Sequence, residues 1–231
     1  ITDKTASEAI ARFGLERKLR PWKRPKAIYK RLRQLTRERN QIVEQRTVAK
    51  NQLHAEKAEA EPAKSTIARL SKLINFLDSQ VEQVRKEVAA LIKENEEVHR
   101  QVSLITSIPG IGELTAASVL SETNGFELIT NKKQLASYAG LDVREKQSGT
   151  SVKGKPKISK RGNKHLRRAM HLPALSAIRH DERFKAIYAR LVGRHGIKMK
   201  AAVAVQRKLL GITYTIFRTA KRYDKSYPGS P

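Results

Sequence analysis

The sequence predicts a mainly α-helical protein: an antiparallel helical or coiled-coil stalk, then a compact helical domain with a helix-hairpin-helix and a small hairpin or loop insertion. Three observations predict it. Apolar residues recur at heptad spacing through residues 67–105, a weaker helical stripe precedes them over residues 26–60, and a Pro-Gly-Ile-Gly corner at 109–112 opens a series of short helical runs. The expected organisation is an N-terminal piece with linker (residues 1–25), the stalk (26–105), the compact domain (106–225) and a frayed tail (226–231).

With 231 residues, 39% of them hydrophobic, the chain can bury a real core in one or two domains. Its charge is the loudest global signal: 48 lysines and arginines against 22 acids leave +26, spread along nearly the whole length. A polyanionic partner is expected. Nucleic acid is favoured over a membrane, because no apolar run approaches the roughly 20 residues a span requires. The longest candidate, residues 209–217, is interrupted by Gly211 and two threonines. The absence of cysteine excludes a disulfide framework and cysteine-type zinc sites, and with no secretory segment in view the expected compartment is the cytoplasm. The six histidines lack ligand spacing and are assigned no metal.

The first residues read as a short helix ending near Gly14, followed by a linker in which Trp22 sits between prolines and basic residues. Over residues 26–60 the stripe is Ile28, Leu32, Leu35, Ile42 and Leu53, but Arg39 and Arg46 fall on it. This helix therefore either frays or lays its arginines over a partner. Pro62 marks a turn, and Ser65 or Thr66 can cap the next helix. There Ile67, Ile74, Val81, Val88, Asn95 and Val102 occupy a positions, and Leu70, Leu77, Val84, Leu91, Val98 and Ile105 occupy d. β-Branched a residues with Leu and Val at d favour a parallel two-stranded coil, whose register a single a-position Asn would fix. The competing arrangement is an antiparallel hairpin with the preceding helix. The preferred reading combines them, with the stronger stripe also serving homo-oligomerisation.

Pro109, Gly110, Ile111 and Gly112 make a tight apolar turn between helical segments. It resembles a helix-hairpin-helix, in which glycine amides and a helix N-terminus meet a DNA phosphate without reading bases; an ordinary helix corner is the alternative. A turn at residues 123–125 and a short helix at 132–139 lead to the basic segment. In it Ser148, Gly149, Thr150 and Ser151 suit a turn or hairpin tip. Lys153, Lys155, Lys157, Lys160 and Arg161 follow, then Asn163 as an N-cap and a helix bearing Lys164, His165, Arg167 and Arg168. Backbone amides at a helix start and guanidinium forks one turn along outline a phosphate site; a solvated basic loop would read similarly. Helices are expected over residues 163–180 with a kink at Pro173, over 182–192, and over 197–223.

Taken in order, the PGIG corner, QLASYAGL, SGTSVKG and KRGNKHLRRAM resemble the C-terminal two-thirds of the Piv-type, or DEDD, transposases of bacterial insertion sequences, the insertion-sequence one-ten family. The resemblance implies a recombinase acting on DNA, described as guided by a structured RNA, with a RuvC-like nuclease domain ahead of the stalk. That domain carries an acidic tetrad for Mg2+. A serine of the SG(S/T)S segment is the proposed nucleophile; Ser148 matches it, with Ser151 as the fallback. The resemblance also places two aspartates three apart at the end of the nuclease domain. Asp3 matches the first, whereas Ala6 stands where the second belongs and Glu8 lies two positions off. The expectation is a truncated copy that keeps the DNA-handling half and the nucleophile but binds no Mg2+ alone. A non-catalytic nucleic-acid-binding scaffold is the principal alternative, ahead of a structural coiled coil.

Overall fold

A computed structural model describes residues 2–18, 24–148 and 152–224. Trp22, the serine at 151 and the tail at 226–231 lie outside the described residues. Helix α1 (Asp3–Glu16) starts with a capping box between Thr2 and Thr5 and continues through Gly14; it has no buried residue, and Ile10, Phe13 and Leu15 are exposed.

Helices α2 (Ala27–Ala58) and α3 (Lys64–Glu94) form the stalk, each about 47 Å long at 1.5 Å per residue. Ion pairs Lys26–Glu97, Arg31–Glu87 and Arg46–Asp78 run in opposite order along the two segments, so the hairpin is antiparallel. Ile74, Leu77, Val84, Val88 and Ile92 of α3 are buried, as are Tyr29, Leu32 and Leu35 of α2. Much of the heptad stripe is thus consumed within the chain. Burial of each such side chain contributes on the order of 1.5–3 kcal/mol, far more than exposed ion pairs at the rim. On the outer faces Val48, Leu73 and Phe76 remain exposed.

Two local expectations are corrected. The start of α3 uses neither Ser65 nor Thr66: Ala63 is the N-cap, without a side-chain bond, and its N–H donates to Glu56 Oε1 at 2.8 Å. The heptad also does not run through one helix. Asn95 ends α3 in extended geometry and caps α4 (Glu96–Thr106), its Oδ1 accepting from Val98 N at 3.0 Å. A capping side chain thereby takes the place of a register-fixing Asn in a seam. Val98, Val102 and Ile105 continue the spacing on the far side of the break, and they are buried in the compact domain.

The corner after α4 leads to α5 (Glu113–Thr123), with Gly112 as its N-cap. Gly110 adopts φ +85°, and a Cβ there would lie 2.5 Å from the Pro173 carbonyl oxygen. Its backbone is pressed against a later helix. α6 (Lys132–Tyr138) is capped by Asn131, whose Oδ1 accepts from Gln134 N at 2.8 Å. Strands β1 (Val143–Ser148) and β2 (Val152–Ile158) then pair antiparallel, from Val143 opposite Ile158 to Ser148 opposite Val152. The register shifts between Arg144 and Lys146, opposite the stretch holding Pro156, which has no N–H to donate.

The helix expected over residues 163–180 is two helices, α7 (Lys164–Ala169) and α8 (His171–His180), parted at Met170 rather than kinked at Pro173. Pro173 lies in the first turn of α8, where its missing N–H costs nothing. α9 (Glu182–His195) ends at Gly196, and α10 (Lys198–Thr219) stops short of residue 223, at Ala220 with φ 52°. Phe126 stands edge-on to Tyr214 and tilted against Phe217, and with Leu120, Leu135, Leu166, Met170, Phe184 and Leu209 it fills the core between α5 and α10.

Replacing Gly110 with Ala should cost about 3 kcal/mol, since overpacking adds to left-handed strain. Gly112, at φ −91° and with nothing within 4 Å of an added Cβ, should tolerate Ala at under about 1 kcal/mol. Denaturant melts of the two variants compare them directly; equal losses would mean the Gly110 contact with α8 does not constrain the corner.

Candidate nucleic-acid interface

The basic hydroxyl segment is carried by a ribbon with a fixed base. Leu141 is buried and its N–H donates to Ala136 O at 2.8 Å, while Ser159 Oγ donates to Asp142 Oδ1 at 2.6 Å and Ser159 N to Asp142 O at 2.9 Å. Five strand steps separate Val143 from Ser148, so the ribbon carries the Ser148 backbone about 17 Å from that base. Two strands alone are marginal in water, which makes the base the element that aims the tip.

Beyond the ribbon the chain turns under α6. Lys160 has φ 54°, and its N–H donates to Gly140 O at 3.1 Å. A Cβ on Gly162 would stand 2.3 Å from Tyr138 O and 2.4 Å from Gly140 N, so only glycine lets the two backbones meet. Asn163 follows with three bonds: its N–H to Tyr138 O at 2.6 Å, its Oδ1 accepting from Leu166 N at 2.9 Å as the α7 N-cap, and its Nδ2 to Glu122 Oε2 at 2.7 Å.

Glu122 is the centre of this junction and was not singled out by sequence reasoning. Its side chain is 2% exposed. The Arg37 guanidinium of α2 meets it in a two-point fork, Nε to Oε1 at 2.7 Å and Nη2 to Oε2 at 2.8 Å, and Tyr138 Oη donates to its backbone carbonyl at 2.9 Å. Burial pushes this carboxyl's pKa up, but the hydrogen bonds from Arg37 and Asn163 outweigh it and hold it below the ordinary value. The only sequence signal was an acid on the otherwise apolar and small face of α5.

The cations assigned from the sequence divide in two. Arg167 turns inward: its Nη1 donates to Ala139 O at 2.8 Å, at the α6 C-terminus, and its own carbonyl accepts from Gln206 Nε2. Arg168 pairs with Glu44 of α2. Lys157, Lys160, Arg161 and Lys164 are exposed along the ribbon base and the start of α7. Lys153, Lys155 and Ser148 lie on the paired strands, with Ser148 opposite Val152 and Lys153 opposite Gln147. At the corner, Pro109 is half-buried, Ile111 is buried and Gly112 is exposed at the α5 start. A second basic surface borders α2, a depression of about 420 Å³ lined by Arg24, Pro25, Lys30, Arg33, Gln34 and Arg37. Asp3 is exposed in the first turn of α1. Among the described residues no group of three or more His, Cys, Asp or Glu is placed to hold a metal ion. No helix is long and apolar enough to cross a membrane, among the described residues.

Comparison with known proteins puts two separate parts of this architecture in one class, the transposases. Residues 102–189, from α4 to α9, match the profile described as the transposase IS116/IS110/IS902 family, and residues 2–56 match a DEDD-type transposase profile. The pilin gene-inverting protein of Moraxella bovis is 30% identical over 230 residues, covering 97% of this chain and 68% of that protein. An uncharacterized 43.6 kDa protein of insertion element IS110 in Streptomyces coelicolor is 30% identical over 148 residues, 64% of this chain and 36% of that protein. The transposase for insertion sequence element IS1111A of Coxiella burnetii is 29% identical over 168 residues, 67% of this chain and 44% of that protein. The chain belongs to the IS110/IS116/IS902 transposase family.

The Glu122 junction has a testable pH signature. Its folded pKa lies below the ordinary 4.5, so its contribution to stability is complete above that value and is lost as pH falls through the depressed folded one. At neutral pH, Glu122→Gln should cost about 3 kcal/mol, the lower end for breaking a buried pair because Arg37 is partly exposed and regains water. The gap from wild type should narrow under acid. A gap that stays constant from neutral pH to well below 4.5 would show that the charge of Glu122 does not hold the junction.

Proposed function

We propose that this chain is the DNA-handling part of a serine-dependent insertion-sequence recombinase, with Ser148 as nucleophile, Ser151 as the alternative, and a structured RNA as guide. The observation that supports the reading is the position of Ser148, opposite Val152 at the far end of a paired ribbon whose base carries exposed Lys157, Lys160 and Arg161. In the step envisaged, a bond forms between the serine Oγ and a backbone phosphorus while the bond from phosphorus to one deoxyribose oxygen breaks. The serine proton ends on the released sugar hydroxyl. The phosphoester keeps the bond energy for resealing, and the basic residues stabilise charge on the phosphoryl oxygens. The glycine corner at 109–112 and residues Lys153 and Lys155 contribute further phosphate contacts in this reading.

The family resemblance implies Mg2+ held by an acidic tetrad, of which Asp3 matches one member; no step is assigned to a metal. Ala6 at the second aspartate position favours a second reading, a binding scaffold without chemistry of its own. Homo-oligomerisation is also proposed, through the stalk faces left open at Val48, Leu73 and Phe76. Changing Leu77 would damage the hairpin itself, whereas Leu73→Lys with Phe76→Lys should disperse a dimer in sedimentation and leave the helical content unchanged. A wild type that sediments as a monomer at micromolar concentration removes the oligomer.

Binding should be strongly salt-dependent, with a log-log slope near −5 for about six phosphates. Labelled DNA incubated with this chain and with a complete nuclease domain, then run on a denaturing gel, should give a covalent adduct that Ser148→Ala abolishes while binding stays intact. An adduct lost only with Ser151→Ala moves the nucleophile to that residue. One that survives both changes takes the segment out of the chemistry, and no adduct despite binding leaves the scaffold.

A further inference from the structure

Arg39 is the anomaly of the stalk. Among the described residues, its Nε is one of two buried side-chain polar atoms without a hydrogen-bond partner. The other is Asn124 Oδ1, in a turn whose amide group is already engaged through Nδ2 with Glu127. Arg39 lies one heptad from Arg46 on α2, so both point along the same face. The arginines around it each have an acid: Arg46 binds Asp78, Arg168 of α7 binds Glu44, and Arg85 of α3 pairs with Glu82. Arg39 has none. Burial first, and then the charges of Arg46, Arg168 and Arg85, lower its pKa from the ordinary arginine value, yet a guanidinium stays protonated in proteins.

A half-buried cation among three others, with an unsatisfied donor, is expensive, and a hydrophobic residue of similar volume would serve packing better. Such a group is retained economically when an external anion completes it. We propose that the junction of α2, α3 and α7 binds one phosphodiester group of a nucleic-acid strand, with Arg39 as its primary donor. A phosphodiester suits the place better than a carboxylate does. The neighbouring arginines already hold carboxylates, and several phosphate oxygens can accept from Arg39 and from more than one of them at once. α7 begins three residues after Arg161 and carries Arg168, one of the charges acting on Arg39, so it links the ribbon base to this junction. α7 spans about 9 Å, and a strand rising about 3.4 Å per nucleotide covers that in two or three residues. In this proposal a strand leaving Lys160 and Arg161 follows α7 to Arg168 and meets Arg39 there.

This inference rests on the reading that the chain binds nucleic acid, and the test separates the two. The 231-residue chain, its Arg39→Met form and its Arg39→Lys form are titrated by fluorescence anisotropy with a duplex DNA and with a hairpin RNA over a salt series, alongside thermal melts. Arg39→Met should melt at or above wild type, bind about tenfold more weakly, and show a salt slope shallower by about 0.7–0.9. Whichever probe weakens identifies the strand at this site; equal weakening assigns both. Unchanged affinity and slope on both probes, with wild type binding, overturn the site and leave the general reading standing. Failure of wild type to bind either probe overturns both. If Arg39→Met does not fold, Arg39→Lys decides: it keeps the charge but loses the fork, so a several-fold loss of affinity supports the site and full affinity overturns it.

Discussion

The carboxylate of Glu122 is the constraint on which the arrangement of the stalk and the ribbon depends. Placing an ionised carboxylate where its side chain is 2% exposed costs several kcal/mol unless every lone pair is met. Here the partners come from separate parts of the chain: Arg37 from the stalk and Asn163 from the start of α7, while Tyr138 of α6 takes the backbone carbonyl of the same residue. Four elements must therefore come together at once, or the charge is stranded. The penalty for partial assembly turns a weakly directional hydrophobic packing into a defined geometry.

Hydrophobic burial alone would leave the ribbon free to swivel about its base. Its direction comes from backbone contacts that only glycine permits, with Gly162 against Tyr138 O and Gly140 N. The Asp142–Ser159 pair then closes the base of the strands, and Arg167 ties the same corner to the α6 C-terminus. Arg167 illustrates how a basic motif divides its labour. In the run from Lys160 to Arg168 some cations build the platform and others stand on it, and sequence cannot separate them because both groups have the same composition. Arg167 and Asn163 are platform; Lys160, Arg161 and Lys164 face solvent.

The antiparallel stalk was legible because Pro62 divides two long helical patterns of matching length, and the helical character of the domain followed from its caps and glycines. The break at Asn95 was not, since Val98, Val102 and Ile105 hold the same spacing against a different partner; a heptad count registers spacing and is blind to what is being faced. The α7–α8 break was mislocated because the signal is Pro173, whereas the chain uses that proline inside the first turn of the next helix. Asn163 was legible as a cap but not as a partner of Glu122, because their 41-residue separation is bridged only by tertiary packing. Arg39 and Arg46 on the apolar stripe were visible as irregularities from the start. One answers Asp78 across the hairpin, and the other answers nothing among the described residues.

How the chain distributes its acids gives the excess of positive charge a structural meaning. With 22 acids for 48 cations, most lysines and arginines cannot be paired. Several acids are placed at joints: Glu122 between stalk and domain, Glu44 between α2 and α7, and Asp78, Glu87 and Glu97 along the hairpin. Neutralisation is concentrated where elements meet, and the remaining cations are left toward solvent, where their mutual repulsion opposes the folded state. A polyanion that binds the folded form relieves that repulsion and stabilises the fold by mass action. On the proposed reading, stability and nucleic-acid binding follow from one electrostatic arrangement, in which a bound phosphate would supply the negative charge that the chain itself lacks.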